Sequence, residues 1–241
     1  MSGERGLAMP YRLPGDDSVR WRCLDSLAWA LATLACALYL PQVGRTVLGE
    51  LSLLYVGPIL WGLLSVLPLR EPQGLAGPWQ MWRLRAAWLL FAGTSPFFGW
   101  WLRCTAVPYL AAVSAVAMGA AAWALLETTH LVSRTARSRG LTDLSQDALL
   151  VRVGLLYLLV IPIAALWFTF AVALGVGWAT VPGDWLRFWR QIPSWGRVLL
   201  LYGPLAALLN LARLLLRASS GLVSLISARP AAPGDAVDES S

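Results

Sequence analysis

Residues 105–179 constrain the fold more than any other stretch of the chain. The stretch opens with TAVPYLAAVSAVAMGAAAWALLE, crosses a basic polar turn, RTARSRGLTDLSQD, and returns as LLVRVGLLYLLVIPIAALWFTFAVALGVGWA. About 20 apolar residues in a helix span a bilayer, and each arm supplies them. The spacing predicts two long membrane helices joined by a helical hairpin that stands clear of the lipid. Ala111, Ala115 and Gly119 recur every four residues, as do Ala112, Ala120 and Ala124 around Val116. Small residues let backbones approach closely where hydrophobicity alone does not drive helices together. The expectation is therefore a first arm packed centrally, with Gly119 in an interface. A substrate-lining helix is the functional alternative, and an alanine-rich composition is the bland one.

The helical pattern outruns the membrane. It continues past Trp123 through Glu127, His130, Leu131 and Arg134 towards Arg139, with Gly140 as its natural stop. Asp143 with Gln146 three residues on has capping-box spacing and predicts the start of the return helix. Leu144, Ala148, Val151 and Leu155 fall on one face and are expected to meet Leu131, Val132 and Ala136. At 1.5 Å per residue the extension reaches roughly 15–20 Å.

The 241 residues are 58% hydrophobic, against about 45–50% for soluble domains, and the excess gathers into blocks of spanning length. The expected fold is all-α: a polytopic transmembrane helical bundle of about six spans, 24–43, 51–69, 83–103, 105–126, 149–179 and 197–217. Residues 1–22 form a cytoplasmic polar tail, 23–218 the bundle with its hairpin extension 127–148, and 219–241 a largely disordered tail. Asp25 is expected in the first turn of the first helix. The polar start also places the first apolar block too late for an ordinary signal peptide. A kink is expected at Gly57-Pro58; Pro96, Pro162 and Pro204 also fall within spans. Trp185, Phe188, Trp189 and Ile192 share one face behind Asp184, which predicts a short interfacial helix near 184–192; a lid is the alternative.

Orientation follows from arginine, the sole basic residue type besides His130. With the N-terminus inside, five of the nineteen basic residues (Arg45, Arg103, Arg187, Arg190 and Arg197) fall outside and the other fourteen inside. Both termini are therefore expected in the cytoplasm, in a cell membrane of bacterial type. The arginines flank apolar blocks and form no basic face with interleaved aromatics, so the net charge of +6 signals topology and not nucleic acid.

Chemistry is argued by exclusion. Glu127-Thr128-Thr129-His130 is a single Glu-x-x-His, whereas di-iron bundles need two such motifs and more glutamates. His130 is the one histidine, which removes the two-histidine zinc motif. Cys23, Cys36 and Cys104 are expected at three different depths and form no Cys-x-x-Cys pair. A phosphate loop lacks its lysine, and every acid lies in a tail, a loop or a span end. No cofactor, metal or catalytic residue is assigned. Candidate polar sites within the spans are Asn210, Arg213 and Arg217, which read as a snorkelling face or as an anion or lipid-headgroup site, and Thr94 and Ser95 in Gly93–Pro96, which read as a proline kink or an unwound helix lining a cavity. Arg134, Arg137 and Arg139 with Glu127 and His130 mark a candidate surface for a protein partner on the hairpin; otherwise these arginines hold topology and touch anionic headgroups. Glu127 and His130 read by default as a solvated helix face.

Three functions fit: a non-catalytic bundle acting as subunit or scaffold, a transporter or lipid-handling permease component, and a membrane enzyme with an unrecognised site. The first is favoured. Convergence of Glu127, His130 and Arg134 in one pocket is the observation that would draw weight towards the third, the enzyme.

Overall fold

Runs of Leu, Ala and Trp with few interruptions favour helix, and helix is what they form. The computed structural model describes residues 14–43, 56–69, 78–103, 108–175 and 192–227, and these are helical apart from short turns. The elements are α1 (Pro14–Val43), α2 (Val56–Val66), α3 (Pro78–Arg103), α4 (Pro108–Ser138), α5 (Thr142–Leu155), a π-helical turn (Leu156–Val160), α6 (Ile161–Gly175) and α7 (Ser194–Ser227). Three stretches are long and apolar enough to cross a membrane: Tyr109–Ser138, Thr142–Thr169 and Ser194–Gly221. The α2 helix is apolar but only 11 residues long. Residues 184–191 of the expected 184–192 helix lie outside the described residues, and Ile192 is a bend.

Several helices begin earlier or end later than hydropathy indicates. Helix α1 starts at Pro14, inside the expected polar tail, so Asp25 sits well inside the helix and not in its first turn. Proline suits a first helical position because its missing N–H has no helical partner there anyway. The same holds for α3 at Pro78 and α4 at Pro108. The last helix runs on to Ser227.

The core does not centre on α4. Helix α1 packs most extensively on α7 and α3 on α4, while α4 meets α7 only slightly. Leu27 and Leu31 of α1 and Leu211 and Leu215 of α7 are fully buried together in the main cluster. Gly119 is exposed, and a Cβ built there meets nothing within 4 Å. The buried face of α4 takes Ala111 from the first stripe and Ala120 and Ala124 from the second, together with Ser114, Ala117 and Thr128; Ala112 is exposed and Ala115 half-buried. Small residues on several faces of one helix leave the choice of face to the neighbours, and here α3 selects that one.

The α4–α5 hairpin turns as expected at Gly140, whose φ is +72°. The Leu141 N–H donates to the Ala136 carbonyl (2.9 Å) and the Gly140 N–H to that of Arg137 (3.2 Å), the paired bonds of a Schellman ending. Because Leu141 is pinned there, α5 starts directly at Thr142 with no side-chain cap. Asp143 consequently lies inside the first turn, and the expected capping box with Gln146 does not form. The apolar faces meet as expected: Leu131, Val132, Ala148 and Leu155 are buried in one cluster, with Leu144 and Val151 packed against it.

Prolines act locally. Helix α3 runs unbroken through Gly93–Pro96, and the Ala92 carbonyl, which Pro96 cannot serve, accepts the Ser95 hydroxyl at 2.9 Å. No unwound segment forms. Pro162 likewise cannot donate to the Leu158 carbonyl, and the chain widens just before it into the π turn, where the Ile161 N–H reaches back to the Leu156 carbonyl. Gly203 of α7 lies against this turn; a Cβ there would stand 2.6 Å from the Leu158 oxygen.

Candidate functional site

The antiparallel pairing of α3 and α4 fixes which polar residues meet. Phe97 faces Tyr109 near the turn, with ring centroids 6.4 Å apart. Further along, the Trp88 indole N–H points to the Thr128 hydroxyl (3.4 Å). Beyond that level the apolar interface gives way to charge. Arg83 Nη2 is 2.5 Å from Glu127 Oε1, and the Trp123 indole donates to the same oxygen at 3.2 Å. One helical step further, Arg134 Nη1 donates to Gln80 Oε1 at 2.6 Å.

These residues border a cleft of about 350 Å³ between α3, α4 and α5. Helix α3 contributes Trp79, Gln80 and Arg83, and α4 contributes Glu127, His130 and Arg134. Arg152 reaches the cleft from α5. Trp79 stacks on Trp82, one helical turn on, with centroids 5.8 Å apart and planes 8° from parallel. Glu127, His130 and Arg134 thus converge.

The cleft is rich in donors and poor in acceptors. Three guanidinium groups face one carboxylate, a surplus of two positive charges. The carboxylate already serves Arg83 and Trp123, and its residue is only 7% exposed. Glu127 is therefore not the solvated position that its spacing suggests. Gln80 gives its carbonyl oxygen to Arg134, which leaves its amide nitrogen as a donor; that nitrogen is buried without an acceptor. A buried unsatisfied donor costs about 1–3 kcal/mol. Among the described residues no three His, Cys, Asp or Glu side chains gather to hold a metal ion.

The other candidates lie apart. Arg137 Nε donates to Ser145 Oγ at 3.1 Å and ties α4 to α5. Arg217 pairs with Asp147 and ties α7 to α5. Asn210 and Arg213 are exposed on α7, on one side with Tyr202 and Ala206. Thr94 donates to the Leu90 carbonyl at 2.7 Å, an intrahelical bond, and Ser95 is 2% exposed. Neither joins the cleft. Ser114, fully buried on the neighbouring helix, has an unpartnered hydroxyl.

Reading the sequence residue by residue missed Trp79, Gln80, Arg83 and Arg152 as members of one site. The signal was the antiparallel pairing of the two arms: α3 ends at Arg103 and α4 begins at Pro108, and counting back equally from those ends places 80–83 opposite 128–131, within a turn of Glu127 and Arg134.

No family model matches the chain, and neither a curated protein nor a solved structure matches it.

Proposed function

We propose that the chain is a non-catalytic integral membrane bundle of about six spans, serving as a subunit or scaffold, with both termini and the α4–α5 hairpin on the cytoplasmic side. The observation that carries this reading is the placement of charge. Arg83–Glu127, Arg217–Asp147, Arg134–Gln80 and Arg137–Ser145 all gather at the hairpin end and join one helix to another. Elsewhere large apolar side chains face outward, among them Leu64, Leu89 and Phe168, as lipid contact requires. Positive charge beside the cytoplasmic ends of spans sets their orientation. A protein partner docking on Arg134, Arg137 and Arg139 belongs to the same reading. Reporter fusions after Arg229 and within residues 134–142 test it: both are expected to read cytoplasmic, and an external signal from either refutes the topology.

The cleft favours a second reading, that of a lipid-handling component. Convergence of Glu127, His130 and Arg134 also meets the requirement set for an enzyme. Glu127, however, is engaged by two donors through one oxygen, which suits a residue that shapes a binding site better than a general base.

A further inference from the structure

We infer that the cleft between α3, α4 and α5 is a binding site for a phosphate monoester dianion, carried either on a lipid headgroup or on a soluble molecule. The lipid source rests on the membrane reading above; the soluble source does not. Four observations carry the inference. The cleft has a surplus of two positive charges, and a phosphate monoester carries about −1.5 to −2 at pH 7. Guanidinium N–H groups make up most of the cleft's free hydrogen-bonding capacity, against Glu127 Oε2 and the His130 imidazole as acceptors, and the oxygens of a phosphate dianion only accept. Arginine presents a planar fork of N–H groups that matches phosphate oxygens in pairs. Here Arg83 and Arg134 are held in place by Glu127 and Gln80, so their remaining N–H groups are oriented in advance. Finally, the Gln80 amide nitrogen has no acceptor and, being buried, gains one from a guest by turning towards the cleft.

Size and rim fit the same guest. A cleft of about 350 Å³ lies at the low end of ligand pockets, roughly 300–1,000 Å³, and suits a phosphorylated headgroup more than a large cofactor. Trp79 is 67% exposed at its edge; an indole is apolar over its body and polar at its N–H, which suits the boundary between acyl chain and headgroup. Arg152 completes the site from the return helix. It is exposed and takes part in no ion pair among the described residues, so it is the member whose removal disturbs the fold least.

The test uses the purified full-length protein in phosphatidylcholine nanodiscs, with thermal unfolding as readout. Three additions are compared: a fraction of phosphatidic acid, the same fraction of phosphatidylglycerol, and inorganic phosphate. The variants are Arg152→Gln, Arg134→Gln as a second cleft variant, and Arg213→Gln, which removes the same charge from the exposed face of α7. At a ligand level tenfold above Kd the wild-type midpoint is expected to rise by roughly 3–6 °C. Arg213→Gln is expected to keep that rise and both cleft variants to lose most of it. A rise with phosphatidic acid alone assigns a lipid source; an equal rise with inorganic phosphate assigns a soluble one. Phosphatidylglycerol, a diester, is expected to do less. No rise with either monoanionic or dianionic phosphate, or equal losses in Arg152→Gln and Arg213→Gln, overturns the site. Recovery of the chain without detergent refutes the membrane reading separately and leaves the inorganic phosphate arm standing.

Discussion

Replacing Gly203 with alanine tests whether α7 is seated on the π turn. The added methyl carbon would lie 2.6 Å from the Leu158 carbonyl oxygen, whereas a carbon and a carbonyl oxygen approach to about 3.3 Å. The two backbones must therefore part by about 0.7 Å. Neither side yields easily, because the obstructing atom is main chain and not the tip of a flexible side chain. Overpacking of this kind costs about 1–3 kcal/mol. Alanine also gains about 1 kcal/mol over glycine within a helix, so the single substitution understates the clash. Gly119→Ala supplies the reference: it receives the same helical gain, and its methyl meets nothing within 4 Å. The difference between the two variants removes the propensity and leaves the clash. Gly203→Ala is expected to be less stable than Gly119→Ala by about 1–3 kcal/mol, read as a midpoint difference in detergent of at least roughly 2 °C. If Gly203→Ala melts at or above Gly119→Ala, the close approach of α7 to the π turn at Leu158 is wrong.

Gly62→Ala places a methyl 2.5 Å and 2.7 Å from two ring atoms of the fully buried Trp88; it should lower stability by about 1–3 kcal/mol relative to Gly57→Ala, which meets nothing within 4 Å, and equal melting of the two would remove Trp88 from that position. Asp147→Asn and Arg217→Gln should each shift stability by less than about 1 kcal/mol, with a double-mutant coupling no larger, because Arg217 is 59% exposed in its side chain and exposed ion pairs contribute little; a coupling above about 2 kcal/mol would show that lipid or a neighbouring chain shields the pair.

The apolar blocks announced the helices, and Gly140 announced the hairpin, because period and turn chemistry are local properties. Boundaries were less legible. Helices α1 and α7 extend past their apolar runs, since packing against each other stabilises turns whose hydropathy alone gives no reason to continue. The face of α4 was unreadable for a different reason. Ala111, Ala115 and Gly119 offer one small stripe and Ala112, Ala120 and Ala124 another; the buried face takes Ala111 from the first and Ala120 and Ala124 from the second, a choice that only the packing of neighbouring helices makes. The Asp143 capping box failed because the Schellman ending pins Leu141, so the helix starts at Thr142 and Asp143 falls inside its first turn. Glu127 and His130 were visible as a pair, but Arg83, the ion-pair partner of Glu127, lies 44 residues earlier on α3, beyond the reach of any local pattern.

That distance also says what holds the cleft in shape. Arg83 and Glu127 belong to different helices, so their meeting depends on the rotation and axial position of α3 against α4. The interface on one side of them is the Trp88–Thr128 contact, with Thr128 adjacent to Glu127 in sequence and Trp88 five residues beyond Arg83, about 7.5 Å along the axis. Trp88 is fixed in turn from α2, where the absence of a side chain at Gly62 leaves room for its ring. Helix α2 contributes no residue to the cleft, yet it sets the depth to which Trp88 enters and so the register that brings Arg83 to Glu127 and Gln80 to Arg134. A change at Gly62 should therefore alter the cleft as well as stability, weakening phosphate protection in a variant whose cleft residues are all intact.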